Sequence, residues 1–174
     1  MTTNTKTTAA PKTSAASKAS PAPKAPAAVK YAIAMLKADH GAVSALFADY
    51  EKTASSKKKK AIVAEICAEL SMHARIEEEI FYPAFKAALK DKALVPEAVV
   101  EHGGIKDLIA QIEGVEPDGE IYDAKVKVLS EYVEHHVKEE QNEMFSKAKT
   151  ASLDLVELGA RMAARKAELI AARG

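Results

Sequence analysis

Each of four long stretches of this sequence carries a histidine on a stripe that is otherwise apolar, and nothing else in the chain restricts its fold so strongly. His40 is flanked by Leu36 and Val43, His73 by Leu70 and Ile76, His102 by Val99 and Ile105, and His136 by Leu129 and Val133. A buried neutral imidazole needs a partner for both ring nitrogens. Four of them pointed at one core are tolerable only if something common satisfies them, so the four stretches must converge.

The stretches themselves read as helices. From Val29 onward proline is sparse, no alternating strand pattern is visible, and Ala, Leu, Glu and Lys dominate, a composition that favours helix. The periodicity predicts a first helix over about 29–53, with Ile33, Leu36, His40, Val43, Phe47 and Tyr50 on its stripe, and Ser55 or Ser56 as a turn or cap before the second. The second, about 57–89, carries Ile62, Ile66, Leu70, His73, Glu77, Ile80, Phe81 and Phe85. A third starts near Leu94 and Pro96 and runs through Val95, Val99, His102, Ile105, Ile109 and Ile112 to Gly114. After the Pro117-Asp118-Gly119 turn, a fourth extends over about 120–150 through Val126, Leu129, Val133, His136, Glu140 and Met144. A short final helix over 153–172 uses Leu155, Leu158, Met162, Leu169 and Ile170, with Gly159 suited to close approach. Short connections make neighbours antiparallel. The expected fold is all-α, an up-down-up-down four-helix bundle with an additional C-terminal helix.

Two carboxylates share the histidine stripes. Glu77 follows His73 by four residues and Glu140 follows His136 by four, so each pair lies one turn apart on one inward face. Isolated carboxylates inside a bundle are driven neutral or destabilise it, and a pair of divalent or trivalent cations removes that difficulty when each carboxylate bridges both ions and the imidazoles cap them. Phase favours His136 over the adjacent His135, since counting back from His136 meets Val133 and Leu129 whereas His135 meets Glu131. Glu140 is favoured over Glu139 on the same ground.

The first 28 residues are nearly all Thr, Ala, Ser, Pro and Lys, and we read them as a disordered arm ahead of a helical domain over 29–174. Five lysines at intervals of six residues, Lys6 to Lys30, and no acid before Asp39 leave residues 31–174 with an excess of five acidic residues, although the whole chain is formally neutral. No aromatic residue interleaves those lysines, which argues against nucleic-acid binding. No run of 18 apolar residues and no secretory leader is visible. Cys67 is the only cysteine, so intrachain disulfides and cysteine-based metal clusters are excluded, and a reducing, cytoplasmic location is the expectation. Monomer and homodimer are both compatible with the sequence.

The motifs Asp39-His40, His73-Ala-Arg-Ile-Glu77-Glu78-Glu79-Ile-Phe-Tyr-Pro83, Glu101-His102 and His136-Val-Lys-Glu-Glu140-Gln-Asn-Glu-Met-Phe145 resemble those of the hemerythrin-like, or HHE cation-binding, domains. The resemblance extends over about 31–172. It implies a non-haem diiron bundle in which His40, His73, His102 and His136 ligate iron, Glu77 and Glu140 bridge, and an oxo or hydroxo group joins the two ions. Zinc and manganese suit the same donors, and the preference for iron comes from the resemblance.

Classical oxygen carriers of that family have one more histidine, where this chain has Lys106, and an aspartate where it has Gln141. Two octahedral ions offer about twelve coordination positions. Four histidines, two bridging carboxylates and one oxo or hydroxo bridge leave about two open, against one in the classical set. Glu78, Glu101, Glu139, Glu143 and Tyr132 are the residues able to fill them. The added vacancy shifts the expectation from transport to reaction with hydrogen peroxide or oxygen, catalase-like or peroxidase-like. A non-catalytic module that binds or senses oxygen, nitric oxide or iron is the alternative, and the sequence leaves open whether the protein is an enzyme. Tyr132, one turn before His136, is the candidate to hydrogen-bond the bridge or pass an electron; Tyr50 and Tyr82 are weaker candidates. Glu78 and Glu101 are candidates to orient imidazoles from outside.

Overall fold

The computed structural model describes residues 31–173 together with the first two. Beyond those two residues, the arm expected over 1–28 lies outside the described residues. Helix α1 spans Tyr31–Glu51 and α2 spans Ser56–Ile76. The latter continues without a break through a π-helical turn, Glu77–Phe81, into α3, Tyr82–Leu89. Helix α4 covers Leu94–Ile112. Helix α5, Glu120–Glu139, passes through a second π-helical turn, Glu140–Met144, into α6, Phe145–Thr150. Helix α7, Leu155–Ala171, follows. The described residues thus form the expected all-α bundle of four long rods with a fifth, C-terminal helix.

Turn chemistry sets the breaks. The rod containing α2 and α3 stops at Lys90, which takes a left-handed conformation (φ 52°), as a helix C-terminus commonly requires. Gly114 and Gly119 supply the positive φ values of the α4–α5 connection. Ser55 stands at the start of α2 but makes no capping side-chain hydrogen bond. Asp154, in contrast, accepts from the backbone N–H groups of Val156 and Glu157 and so caps α7.

Two stripe positions differ from expectation. On α4 the inward phase runs through Val95, Ala98, His102, Ile105, Ile109 and Ile112, so Ala98 takes the buried place and Val99 is turned out, 47% exposed. On α7 the apolar face is used up by Leu155, Leu158 and Met162, leaving Ile170 exposed. Gly159 meets its neighbour as anticipated: a Cβ there would lie 2.4 Å from the Tyr31 ring and 2.7 Å from the Ala32 nitrogen. Helix α7 therefore seats directly on the start of α1.

The core divides in two along the bundle. One apolar cluster holds Leu36, Ile76, Phe81, Phe85, Phe145 and Met162 with their neighbours. The other holds Val43, Phe47, Ile66, Leu70, Ile109, Leu129 and Val133. Along each rod, a layer of six buried polar side chains falls between them: His40, His73, Glu77, His102, His136 and Glu140.

Candidate metal centre

The six polar residues of the middle layer converge. The Nε2 atoms of His40 and His73 are 3.0 Å apart, and those of His102 and His136 are 3.2 Å apart. Glu140 approaches His40 Nε2 at 3.2 Å, and Glu77 lies between the pairs, 3.2 Å from His73 Nε2 through one oxygen and 3.3 Å from His102 Nε2 through the other. Two donor groups result: His40, His73, Glu77 and Glu140, and Glu77, His102 and His136, sharing Glu77.

Three of the four imidazoles are met from behind within hydrogen-bond distance, and the fourth, His73, has a carboxylate facing it. Glu101 meets His136 Nδ1 at 2.7 Å and Glu78 meets His102 Nδ1 at 2.9 Å. Gln141 lies 3.2 Å from His40 Nδ1. Asp39 faces His73 Nδ1 at a looser 3.6 Å while its other oxygen accepts from Lys166 at 2.6 Å. Glu78 in turn is paired with Lys106. The two positions at which classical oxygen carriers place further ligands are thus occupied by Lys106 and Gln141, both engaged in these outer contacts.

Protonation logic tests whether a cation suits the cluster. Glu78 and Glu101 as carboxylates can accept from the Nδ1–H groups of His102 and His136, an arrangement that turns the Nε2 lone pairs inward. In that arrangement the two Nε2 atoms face each other at 3.2 Å, a contact that a cation between them would satisfy. Glu77 Oε1 and both oxygens of Glu140 are buried and lack a hydrogen bond of good geometry. Lone pairs and orphaned carboxylate oxygens directed at one volume form a donor set for hard to borderline cations. The residues fit.

Without a cation, protons do part of that work. Burial alone would push the Glu77 carboxyl up, but His73 and His102 outweigh it and hold it well below the usual carboxylate range. Burial and then the Glu77 charge push Glu140 well above it. His73 rises to about 9 because Glu77 and Asp39 overcome its burial, whereas burial and then His73 press His40 down to about 3.

Tyr132 is not brought into the cluster. It is 51% exposed and its ring lies across Gly104 at the seam of α4 and α5. Four residues before His136, it sits one step round the helix from the stripe that Val133 and Leu129 occupy. The tyrosine inside is Tyr82, whose hydroxyl is 3.2 Å from Glu77 Oε2 and 3.3 Å from His102 Nε2. The π-helical turn brings it there: its backbone N–H bonds back five residues to Glu77, which aligns it with the carboxylate. His135 is exposed, 3.3 Å from Glu101.

A repetition in the sequence marks Tyr82. Asp39-His40 followed by His73, Glu77, Glu78 and Tyr82 matches Glu101-His102 followed by His136, Glu140, Gln141 and Phe145. The second π-helical turn likewise begins at its carboxylate, with the Phe145 N–H bonded to the Glu140 carbonyl. Phe145 stacks on His40, ring centroids 6.0 Å apart and planes within 6°. The two halves differ in having a hydroxyl on one side and a phenyl ring on the other.

A narrow pocket adjoins the cluster, bounded by all four histidines and walled by Val43, Leu70, Ile105 and Val133. Among the described residues, no helix is long and apolar enough to cross a membrane.

Comparison with known proteins places these features. The chain is similar to an uncharacterized protein of Mycobacterium tuberculosis, Rv2633c, 28% identical over 122 residues that cover 68% of this chain and 74% of that one. It is also similar to a DNA nickase of Nostoc sp., 26% identical over 112 residues, 64% of this chain; the match spans only 32% of the Nostoc protein. The crystal structure of an HHE cation-binding domain-containing protein from Mycobacterium kansasii, a homolog of Rv2633c, superposes with a TM-score of 0.69 at 27% identity, over 79% of this chain and 86% of that one. Residues 31–148 match the family model described as the hemerythrin HHE cation binding domain. The chain belongs to the hemerythrin HHE cation-binding domain family.

Proposed function

We propose that His40, His73, His102, His136, Glu77 and Glu140 hold two iron ions bridged by an oxo or hydroxo group, and that the protein reacts with hydrogen peroxide or oxygen. The pocket carries this reading: all four imidazoles border it, its remaining walls are largely apolar, and the outer carboxylates Glu78 and Glu101 are committed to Nδ1 atoms instead of occupying the space inside. The iron pair supplies, when bound, the electrons and Lewis acidity for such chemistry.

The chain's own residues then divide the remaining tasks. Glu78, Glu101, Gln141 and Asp39 orient the imidazoles so that Nε2 faces inward. The valine, leucine and isoleucine walls set an apolar boundary between the imidazoles and bulk water. Tyr82 holds a hydroxyl proton beside Glu77 and His102; burial and the nearby carboxylates raise its pKa well above the ordinary phenol value, so it remains a donor at neutral pH. A donor in that place can hydrogen-bond an oxygen species and deliver a proton to it.

Metal analysis of protein from its native host, with absorption spectra and peroxide consumption on the same sample, tests the reading. Two irons per chain with sustained consumption are expected; zinc or manganese in their place, or no tightly bound ion, would overturn it. A spectral change that reverses on removing oxygen, without turnover, would assign the site to binding or sensing. Replacing both Glu77 and Glu140 by alanine is expected to abolish the two-ion stoichiometry.

A further inference from the structure

The seam between α4 and α5 holds a second group of metal-type donors, separate from the buried layer. Glu101, His135 and Glu139 come within ligand reach of one another, with His135 Nε2 3.3 Å from Glu101 and 3.4 Å from Glu139. An acidic cluster at a surface is ordinarily only solvated. Here a tight cleft joins it to the buried layer, lined by Glu97, Glu101 and Glu139 together with His136 and Glu140, against Leu94 and Met144. No lysine or arginine lines it. Glu140 is 97% buried, and both of its oxygens lack a hydrogen bond.

Charge distinguishes this side of the bundle from the others. Of the carboxylates standing behind the imidazoles, Asp39 is paired with Lys166 and Glu78 with Lys106, both at 2.6 Å. Glu101 is paired with histidines, His135 and His136. A cation approaching Asp39 or Glu78 meets an ammonium group; at Glu101 it meets carboxylates and an imidazole. Clefts lined by one sign of charge concentrate counter-ions and speed their entry.

We propose that Glu97, Glu101, His135 and Glu139 form a transit site for a divalent cation, from which the ion passes through the α4–α5 seam to Glu140. The transit site rests on the metal-binding reading given above and adds a route to it. Glu101 serves both ends, since one of its oxygens faces His135 and the other His136.

The test follows Co(II) uptake by the full chain after metal removal, by stopped-flow absorption, with final stoichiometry measured separately. Neutralising E97Q and E139Q together is expected to slow loading about ten-fold while the endpoint stays at two ions, and E97Q alone, at an exposed position, is expected to slow it less. The paired control E51Q and E134Q, on the α1–α5 groove, is expected to load at the wild-type rate. The wild-type rate should fall as salt increases. A wild-type rate in the E97Q and E139Q variant, a lower endpoint in that variant, or slowing confined to the control would each overturn the transit site while leaving the metal centre standing. A wild-type chain that takes up no Co(II) would overturn both.

Discussion

The hydroxyl of Tyr82 sets one half of the centre apart from the other. It lies beside Glu77 and His102, whereas the matching place near His40 is filled by the ring of Phe145. Replacing Tyr82 by phenylalanine keeps the ring packing and removes only the donor. We predict that Tyr82→Phe retains two bound ions and lowers initial rates of peroxide consumption by about 100-fold, the low end of what a positioned proton donor contributes. Tyr132→Phe, on the surface, is predicted to leave the rate unchanged. Equal rates for Tyr82→Phe and wild type would remove Tyr82 from the chemistry. The histidines and carboxylates that now surround this hydroxyl were legible in the sequence because each interrupts an apolar stripe of regular period. A tyrosine on such a stripe looks like any other amphipathic core residue, so its type alone carries no comparable signal.

Elements explain what periodicity concealed. A period of 3.6 residues locates Glu77 from His73 and Glu140 from His136, but each carboxylate opens a π-helical turn, and beyond it the phase slips by one residue. Tyr82 and Phe145, five residues on from the carboxylates, therefore sit where a continuous α-helix would not put them. The long rods, by contrast, were legible to within a few residues, because their stripes extend over several turns. At α7 the decisive feature is close approach: Gly159 leaves room for Tyr31 and the Ala32 backbone. Gly159→Ala gains helix propensity of nearly 1 kcal/mol but forces that contact apart. A net loss of about 1–3 kcal/mol in denaturant unfolding is predicted, with a gain in stability as the contrary result.

For the whole molecule, the polar layer links folding, protons and metal. Ligands must be deprotonated to bind a cation. His73, raised to about 9 by Glu77 and Asp39, holds a proton near neutral pH in the metal-free protein, and burial and the Glu77 charge push Glu140 in the same direction. Loading at pH 7 is therefore predicted to release protons, and apparent affinity is predicted to strengthen as pH rises toward 9; calorimetry in buffers of different ionisation enthalpy would detect the release, and proton uptake would contradict it. Stripping the metal with a chelator should lower Tm by about 10 °C, the scale expected when a ligand at high excess over its Kd is withdrawn from a domain of this size.

The seating of α7 on α1 also has a consequence in time. Leu155, Leu158 and Met162 complete the apolar cluster that lies against one side of the polar layer, yet all six residues of that layer precede them in the chain. A ribosome that has delivered every donor has still not delivered the helix that closes the compartment behind them. A fragment ending at residue 148 would therefore carry all six donors but lack the apolar wall that Leu155, Leu158 and Met162 complete.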